Sequence, residues 1–436
     1  MKRHGSGSAW WLLMWVVLGV GVGGANAQVI ETVAGMGAAG FAGDGGDARQ
    51  AMLDGPRALA LRPDTGDLFL VDYSNNRIRR VDARGVIGTV AGSGEINPLQ
   101  EGSALRSPFI QLHGVAWSAA DGKLYLAESG GLLAVDAAGT LKAVLLDRAV
   151  PVLAGEAGRS GVLFSDFLRV QRWEADGTVR TLAGSDEPGD EGDGGAAAAA
   201  RFQFVTALAQ DRLGRIWVAD AESRRVRRFL PGGGIETVAG GSLHPEALAK
   251  PAHIAVDVAG NLYIADSFRL QVYRVAAVDG AMDVFAGSGL EESRGDGGPA
   301  KEASFAALNG IAVNCGGVYV SDAERVRRIA VREPLIALQG VRNAETGEPG
   351  LRPGRRFAIE GCQLAEGVAR AEQGQRGLAG AELLVDGVPV PLLTASPERL
   401  EAMVPQNWPL GTVTIEVRVG SKIVKTTAEV LGPAPM

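Results

Sequence analysis

The sequence predicts an all-β protein, a six-bladed β-propeller followed by a small β-sandwich, and two observations support this. First, an apolar strand that ends in an acidic residue occurs six times; the acids are Asp72, Glu128, Asp166, Asp220, Asp266 and Asp322. Successive acids lie 56, 38, 54, 46 and 56 residues apart, and a period of roughly 40–50 residues built from short strands indicates propeller blades. Second, the pattern changes near Pro334, where alternating strands separated by Gly and Pro turns begin and continue over residues 334–436.

Each repeat divides into four predicted strands. In the fourth repeat the inner strand covers residues 204–210, and the next three cover 215–219, 225–230 and 235–239. Turns rich in Gly and Pro separate these strands. The same division fits residues 58–91 and 253–286, and it fits 112–146 and 152–183 less regularly.

The sixth repeat lacks its outer strand. It ends at Pro334 without a Thr-Val-Ala-Gly segment, whereas Val29–Gly35 stands alone before the first repeat and closely matches Ile235–Gly240. We therefore predict that the N-terminal segment pairs as the outer strand of the last blade. This closure would remove an exposed sheet edge, and exposed edges invite aggregation. The predicted propeller covers residues 28–333.

Residues 1–27 have the pattern of an export signal. Lys2 and Arg3 precede an apolar stretch from Trp10 to Val22, and Ala25-Asn26-Ala27 has the small-x-small form of a cleavage site. The alternative is an uncleaved anchor, but the apolar run is short for a bilayer span of about 20 residues. Cleavage would change the formal net charge from −7 to −9. We expect a secreted or periplasmic protein with no remaining transmembrane segment and no nucleic-acid partner.

Several phrases resemble NHL repeats. They include Gly-Asn-Leu-Tyr-Ile-Ala-Asp266, the segment from Asp72 to Arg80 followed by Gly-Thr-Val-Ala-Gly92, and the three Gly-Asp-Gly-Gly segments. The resemblance covers residues 29–331 and is weakest in the second and third repeats. Residues 334–436 are similar to an Ig-like module that accompanies such propellers in secreted bacterial proteins. The resemblance implies a spacer or attachment role for that module.

The repeated acids and the Arg-rich strands that follow them have two interpretations. The acids could gather a cation or a sugar at one rim, or each could accept hydrogen bonds from backbone amides or a following Arg and fix a turn. Their presence in all six repeats favours the turn. Arg77, Arg79 and Arg80 lie on one strand that we predict to be exposed, where ion pairs with acids of adjacent blades are the expected role.

The Gly-Asp-Gly-Gly segments contribute Asp44, Asp193 and Asp296 to the long connections that lead from an outer strand to the next inner strand. Propeller geometry places these connections on the face that carries the channel mouth. The interpretations are a ligand-binding loop face, simple loop packing, or calcium binding by Gly-permissive, oxygen-rich loops. None of the segments matches an EF-hand loop, so we predict no bound cofactor, with calcium or another divalent metal as the alternative.

The mouth of the central channel is the best candidate for a ligand site. Alignment of the inner strands places Arg57, His113, Thr206 and Asn309 at equivalent positions, with His253 one residue further in. Two His residues with nearby carboxylates could hold a divalent metal. Six-bladed relatives such as gluconolactonase-like lactonases and amidating lyases, to which the resemblance points, bind a metal there. The inner strands of this chain offer no acid at the required depth, so polar lining is the preferred interpretation.

The two cysteines, Cys315 and Cys362, fall in the last propeller repeat and in the C-terminal module. In an oxidising compartment they could form an interdomain disulfide, and the alternative is two buried thiols.

The sequence as a whole favours an exported, non-catalytic scaffold that binds a protein, peptide or glycan through one propeller face. A metal-dependent hydrolase or lyase that uses the channel is the alternative, and a purely structural envelope protein is a third hypothesis.

Overall fold

A computed structural model describes residues 28–148, 150–155, 160–244 and 247–432. The predicted export signal, residues 1–27, lies outside the described residues. Within these ranges the chain forms β-strands and three short 3₁₀ turns at Ala48–Gln50, Ala104–Arg106 and Ala197–Ala199. No helix among the described residues has the length and apolar character needed to cross a bilayer. The all-β prediction is therefore confirmed.

Residues 30–330 form six antiparallel sheets, which we number 1 to 6 along the chain. The first strand, β1, covers Ile30–Ala34 and precedes the strands of sheet 1 in the chain. Sheet 1 contains β2 (Pro56–Leu61), β3 (Leu68–Asp72), β4 (Arg77–Val81) and β5 (Ile87–Ala91). Sheet 2 contains β6 (Gly102–Ser103), β7 (Leu112–Ser118), β8 (Lys123–Glu128), β9 (Gly131–Val135) and β10 (Thr140–Leu146), in the spatial order β6-β10-β9-β8-β7.

The next three sheets follow the same meander. Sheet 3 contains β11 (Val152–Gly155), β12 (Val162–Ser165), β13 (Arg169–Trp173) and β14 (Val179–Gly184). Sheet 4 contains β15 (Val205–Gln210), β16 (Ile216–Asp220), β17 (Arg225–Phe229) and β18 (Ile235–Gly240). Sheet 5 contains β19 (Pro251–Val256), β20 (Leu262–Asp266), β21 (Gln271–Val275) and β22 (Met282–Ala286).

Sheet 6 combines the two ends of this region. Its strands β23 (Ile311–Asn314), β24 (Gly317–Asp322) and β25 (Arg325–Ala330) are completed by β1 in the order β1-β25-β24-β23. Strand β1 is antiparallel to β25, with Ile30 opposite Ile329 and Thr32 opposite Arg327. The pairing of the N-terminal strand with the last repeat is thus as the sequence predicts.

The innermost strands of the six sheets contact one another in a closed cycle, β2-β7-β11-β15-β19-β23 and back to β2. A separate hydrophobic cluster lies between each pair of neighbouring sheets. Tyr125, Phe164 and Trp173, for example, fill the space between sheets 2 and 3, and Tyr263, Phe285 and Phe305 fill that between sheets 5 and 6. Face-to-face packing of twisted four-stranded sheets around shared first strands is the arrangement of a β-propeller.

The C-terminal part of the chain forms two further sheets. Its strands are β26 (Leu335–Asn343), β27 (Arg356–Cys362), β28 (Ala369–Gln375), β29 (Gly377–Leu378), β30 (Ala381–Val385), β31 (Val388–Val390), β32 (Leu392–Ala395), β33 (Arg399–Met403), β34 (Gly411–Val419) and β35 (Lys422–Val430). Sheet 7 has the order β26-β27-β33-β32-β28, and sheet 8 the order β29-β30-β34-β35 with β31 paired to β30. Both sheets contribute to one hydrophobic core, which includes Phe357, Ile359, Leu383, Leu400 and Ile415.

This C-terminal unit contacts the turns between the first and second strands of sheets 4, 5 and 6. A disulfide joins Cys315 to Cys362, and the Leu338 amide donates to the Val258 carbonyl at 2.8 Å. Arg212 and Glu360 form an ion pair at 2.9 Å. In a meander these turns lie opposite the starts of the inner strands. The C-terminal unit therefore leaves the predicted mouth face uncovered.

Candidate functional site

The five side chains predicted at the channel mouth line one cavity of about 280 Å³. They come from five sheets: Arg57 from β2, His113 from β7, Thr206 from β15, His253 from β19, and Asn309 from the residues just before β23. Sheet 3 contributes the apolar segment 151–153. Because the inner strands of all sheets start at the same end of the channel, one polar residue near each start is enough to build a ring.

The cavity has one fixed positive charge. The Arg57 guanidinium lies 3.5 Å from the centroid of the Tyr73 ring, a cation–π geometry that orients it. The Tyr73 ring also lies 6.3 Å from the His113 ring, and the Tyr73 hydroxyl is hydrogen-bonded to Gln111. Sequence reasoning missed Tyr73, and its position directly after the repeated acid Asp72 was the available signal.

The two histidines at the mouth are held neutral near pH 7. Burial in the channel, followed by the charge of Arg57, lowers the pKa of His253 to about 4. The same two causes lower the pKa of His113, whose Nε2 lies 3.2 Å from the Ser129 hydroxyl. Neutral imidazoles present one donor and one acceptor each.

The described residues that line the mouth include no acid. Nor do the described residues elsewhere contain a group of three or more His, Cys, Asp or Glu side chains placed to hold a metal ion. The mouth is therefore a basic, hydrogen-bonding cavity, which suits an anionic or neutral polar ligand.

A ring of aliphatic side chains lies between the mouth cavity and the rest of the channel. One comes from each sheet, and all six line both the mouth cavity and a second cavity of about 420 Å³ at the other end of the channel. We call these residues the aliphatic ring: Leu59, Val115, Leu153, Leu208, Ile254 and Ile311. The second cavity is lined mainly by apolar residues, among them Pro63 and Trp117.

The three Gly-Asp-Gly-Gly acids lie outside this cavity and are engaged in a repeated contact. Each carboxylate accepts hydrogen bonds from one buried Arg and from the amide and hydroxyl of one Thr. The sets are Asp44 with Arg79 and Thr89, Asp193 with Arg227 and Thr237, and Asp296 with Arg327 and Thr32. We call each set a latch, because it fastens a long connection to the strands of a sheet.

The glycines of the latches are required by the backbone. Gly43, Gly192 and Gly295 have φ of 96°, 109° and 95°. A Cβ at any of them would lie 2.7 or 2.8 Å from the Cα of a following Ala. Loop packing thus explains why glycine occurs at these three equivalent positions. Asp44, Asp193 and Asp296 are engaged in the latches and are not among the described residues that line the mouth cavity.

The repeated acids fix the entry to the inner strands. Asp220 accepts from the amides of Gln203 and Phe204, and Asp266 accepts from those of Ala249 and Lys250. Asp322 accepts from the amides of Ala306 and Ala307. The turn interpretation of these acids is therefore confirmed for these sheets.

The expected exposure of the first Arg-rich strand is wrong for Arg79, which is fully buried. Its guanidinium pairs with Asp72 of its own sheet at 3.0 Å and with Asp44 of the preceding connection at 2.5 Å. The sequence analysis predicts partners in adjacent blades, and for Arg79 this prediction is wrong. The connection that carries Asp44 covers this part of β4, so the Arg79 side chain is buried beneath it.

Comparison with known proteins supports the NHL and β-propeller type of fold. A family model described as the teneurin NHL domain matches residues 175–365. Mouse (Mus musculus) teneurin-3 is 30% identical over 156 residues, which cover 31% of this chain and 6% of that protein. The chain thus corresponds to a small part of the length of this relative.

Solved structures show the same fold at low sequence identity. A protein of unknown function from Bacteroides thetaiotaomicron aligns with a TM-score of 0.54 and 17% identity, covering 70% of this chain and 76% of its own. Auxiliary nutrient binding proteins from Bacteroides thetaiotaomicron and Bacteroides ovatus align with TM-scores of 0.51 at 13% and 14% identity. Each covers 70% of this chain, and 76% and 77% of its own chain, respectively. At these identities the similarity shows the fold alone.

Proposed function

We propose that this chain is an exported, non-catalytic binding protein that takes its ligand at the channel mouth. In this proposal residues 1–27 are a cleaved signal, sheets 1–6 in residues 28–333 are the blades of a complete six-bladed propeller, and residues 334–436 are an Ig-like β-sandwich. The ligand is a protein, peptide or glycan, and the protein acts in the periplasm or outside the cell.

One observation carries the proposal. A single solvent-accessible cavity is lined by polar residues from five different sheets: Arg57, His113, Thr206, His253 and Asn309. The side chains of Arg57, His253 and Asn309 make no hydrogen bond or ion pair with any described residue. Polar groups that a protein leaves unpartnered in a cavity are available to a ligand.

Two further features favour a ligand-binding protein over a purely structural envelope protein. The C-terminal unit contacts the far side of sheets 4–6 and leaves the mouth face free. Two structural neighbours are auxiliary nutrient binding proteins, which agrees with a ligand-binding role for an exported propeller.

The test is capture of a ligand from an envelope extract of the native host by the immobilised full chain. Thr206→Trp places a large ring in the mouth cavity, and Thr178→Trp places the same ring on an exposed turn at the opposite end of its sheet. We expect the wild type and Thr178→Trp to retain the same component and Thr206→Trp to lose it.

The rival hypotheses give different results in the same preparation. Stoichiometric divalent metal that disappears on His113→Ala or His253→Ala substitution would contradict a non-catalytic role and support the hydrolase or lyase. Self-association without capture of any component would support the structural envelope protein.

A further inference from the structure

The Arg57 guanidinium has no counter-ion among the described residues. No described carboxylate or carbonyl accepts a hydrogen bond from it, and it lies 3.5 Å from the centroid of the Tyr73 ring. By contrast, each buried Arg of the three latches pairs with an Asp. Stacking of the guanidinium on one face leaves its five N–H donors, which lie in the guanidinium plane, free for an anion.

The surrounding groups select the kind of anion. Because both histidines are neutral near pH 7, Arg57 is the one charged group of the described lining. A single planar guanidinium matches a carboxylate, which it can bind through two parallel hydrogen bonds. His113, His253, Thr206 and Asn309 then add uncharged hydrogen-bonding groups around the same cavity.

Aromatic rings lie at the same end of the channel. Tyr73 borders the mouth beside Arg57 and His113. Phe204, two residues before Thr206, stacks on Phe167 with ring centroids 4.9 Å apart and is 39% exposed. Aromatic faces next to hydrogen-bonding side chains suit a ligand that has both apolar faces and hydroxyl groups.

From these observations we propose that the mouth cavity recognises the carboxylate of a sugar acid. The carboxylate pairs with the Arg57 guanidinium, the hydroxyl groups of the sugar bond the neutral polar lining, and the apolar ring face packs on the aromatic side chains. A volume of about 280 Å³ equals the liquid volume of roughly nine water molecules, which suits one sugar ring entering from the mouth. The inference rests on the proposed binding function and names its ligand class.

The experiment follows histidine ring signals by NMR during titration of the full chain. Of the histidines that remain after residue 27, His244 lies outside the mouth lining and serves as the internal reference for His113 and His253. The probes are glucuronate, its neutral counterpart glucose, and N-acetyl-dialanine, a peptide that carries a terminal carboxylate. We expect glucuronate to shift the His113 and His253 signals and glucose at the same concentration to leave them unchanged.

Variants then test the role of the charge. Arg57→Gln should weaken glucuronate binding by about tenfold or more, since a charge-assisted hydrogen bond is lost. Arg84→Gln is the surface control, because Arg84 is exposed and forms an ion pair with Asp82 outside the mouth cavity. This variant should bind as the wild type does. Because the Arg57 side chain is exposed, its replacement leaves the hydrophobic clusters intact, and circular dichroism checks this.

Three results would overturn the inference: equal shifts with glucose, tighter binding of N-acetyl-dialanine than of glucuronate, or undiminished binding by Arg57→Gln. Each leaves the proposed function standing if the host component is still captured in a Thr206-dependent way. Loss of that capture, and not the NMR result, is what contradicts the binding function itself.

Discussion

Arg79, Arg227 and Arg327 are at most 1% exposed and yet carry full charges. Each guanidinium pairs with the Asp of its latch and donates a hydrogen bond to at least one backbone carbonyl. Its central carbon also lies within 5.4 Å of the centroid of a Phe ring. Arg327 also pairs with the fully buried Asp322 at 3.1 Å. A buried charge is tolerated when it is paired and hydrogen-bonded. Apart from the Arg79 Nε, which has no partner among the described residues, the guanidinium donors of these residues are used to hold loops in place.

Removal of Arg327 should destabilise the protein strongly. Arg327→Met leaves Asp322 buried without its partner, and breaking a buried pair in this way costs about 3–5 kcal/mol. Urea unfolding followed by tryptophan fluorescence measures the change. The control is Arg84→Met, which removes an exposed guanidinium and should have the same urea midpoint as the wild type. If Arg327→Met and Arg84→Met had equal midpoints, the stabilising role of the latch would be contradicted.

The low pKa of His253 predicts a pH-dependent stability. Its folded-state pKa of about 4 lies below the usual 6.5, so the unfolded chain binds the extra proton first and stability falls as the pH drops from about 6.5 towards 4. Arg57, which faces His253 across the mouth, reinforces this direction. His253→Gln should remove at most about 3 kcal/mol of the pH dependence. Urea unfolding at pH 7.5 and 5 measures it, and identical pH dependence in both proteins would contradict the assignment.

At the scale of elements, β1 is connected to the three strands that it completes only through the chain that forms the other five sheets. Its Ile30 is fully buried against sheets 5 and 6, and its Thr32 joins a latch through Asp296. Strand β18 carries the matching residues within one continuous sheet, with Ile235 at the position of Ile30. Strand pairing with β25 and side-chain burial, and not a short chain connection, thus hold β1 in place.

A matched pair of substitutions tests this closure. Ile30→Ala and Ile235→Ala each remove a buried branched side chain, and each should cost about 2–5 kcal/mol in urea unfolding. If β1 were detached in solution, Ile235→Ala alone would lower the midpoint.

The strands were predictable because their signals are local. Alternating apolar residues, Gly turns and the repeated acid are patterns within short stretches of sequence, and each defines a strand or a turn directly. The mouth residues could be predicted because the inner strands align with one another. The burial of Arg79 and the pairing of Asp44 with it were not predictable, since they depend on how a connection folds back over strand β4. Tyr73 was missed for the same reason, because its role arises only where sheets 1 and 2 meet.

At the scale of the whole molecule, the Cys315–Cys362 disulfide ties the six-sheet region to the C-terminal unit. The two cysteines are 47 residues apart in sequence. The Gln363 side chain adds a hydrogen bond to the Cys315 carbonyl at 3.1 Å. The C-terminal unit is therefore fastened covalently to sheet 6, whereas its contacts with sheets 4 and 5 are non-covalent.

Loss of this bond should loosen that attachment. In the chain-entropy description a closed loop of this length contributes about 4 kcal/mol, and the Cys315→Ser/Cys362→Ser variant should unfold at correspondingly lower urea concentration. Wild type in reductant should match the variant. Coincident unfolding of the oxidised wild type and the variant would show that the bond contributes nothing.

The aliphatic ring affects the passage of solutes through the central channel. Five of its six residues are at most 8% exposed, so a hydrated, charged solute would have to shed its water to pass between them. Under the proposed function a charged ligand therefore enters and leaves at the Arg57 end, and the second cavity beside Trp117 lies beyond an apolar barrier. Occupancy of the mouth cavity then depends on a single face of the molecule.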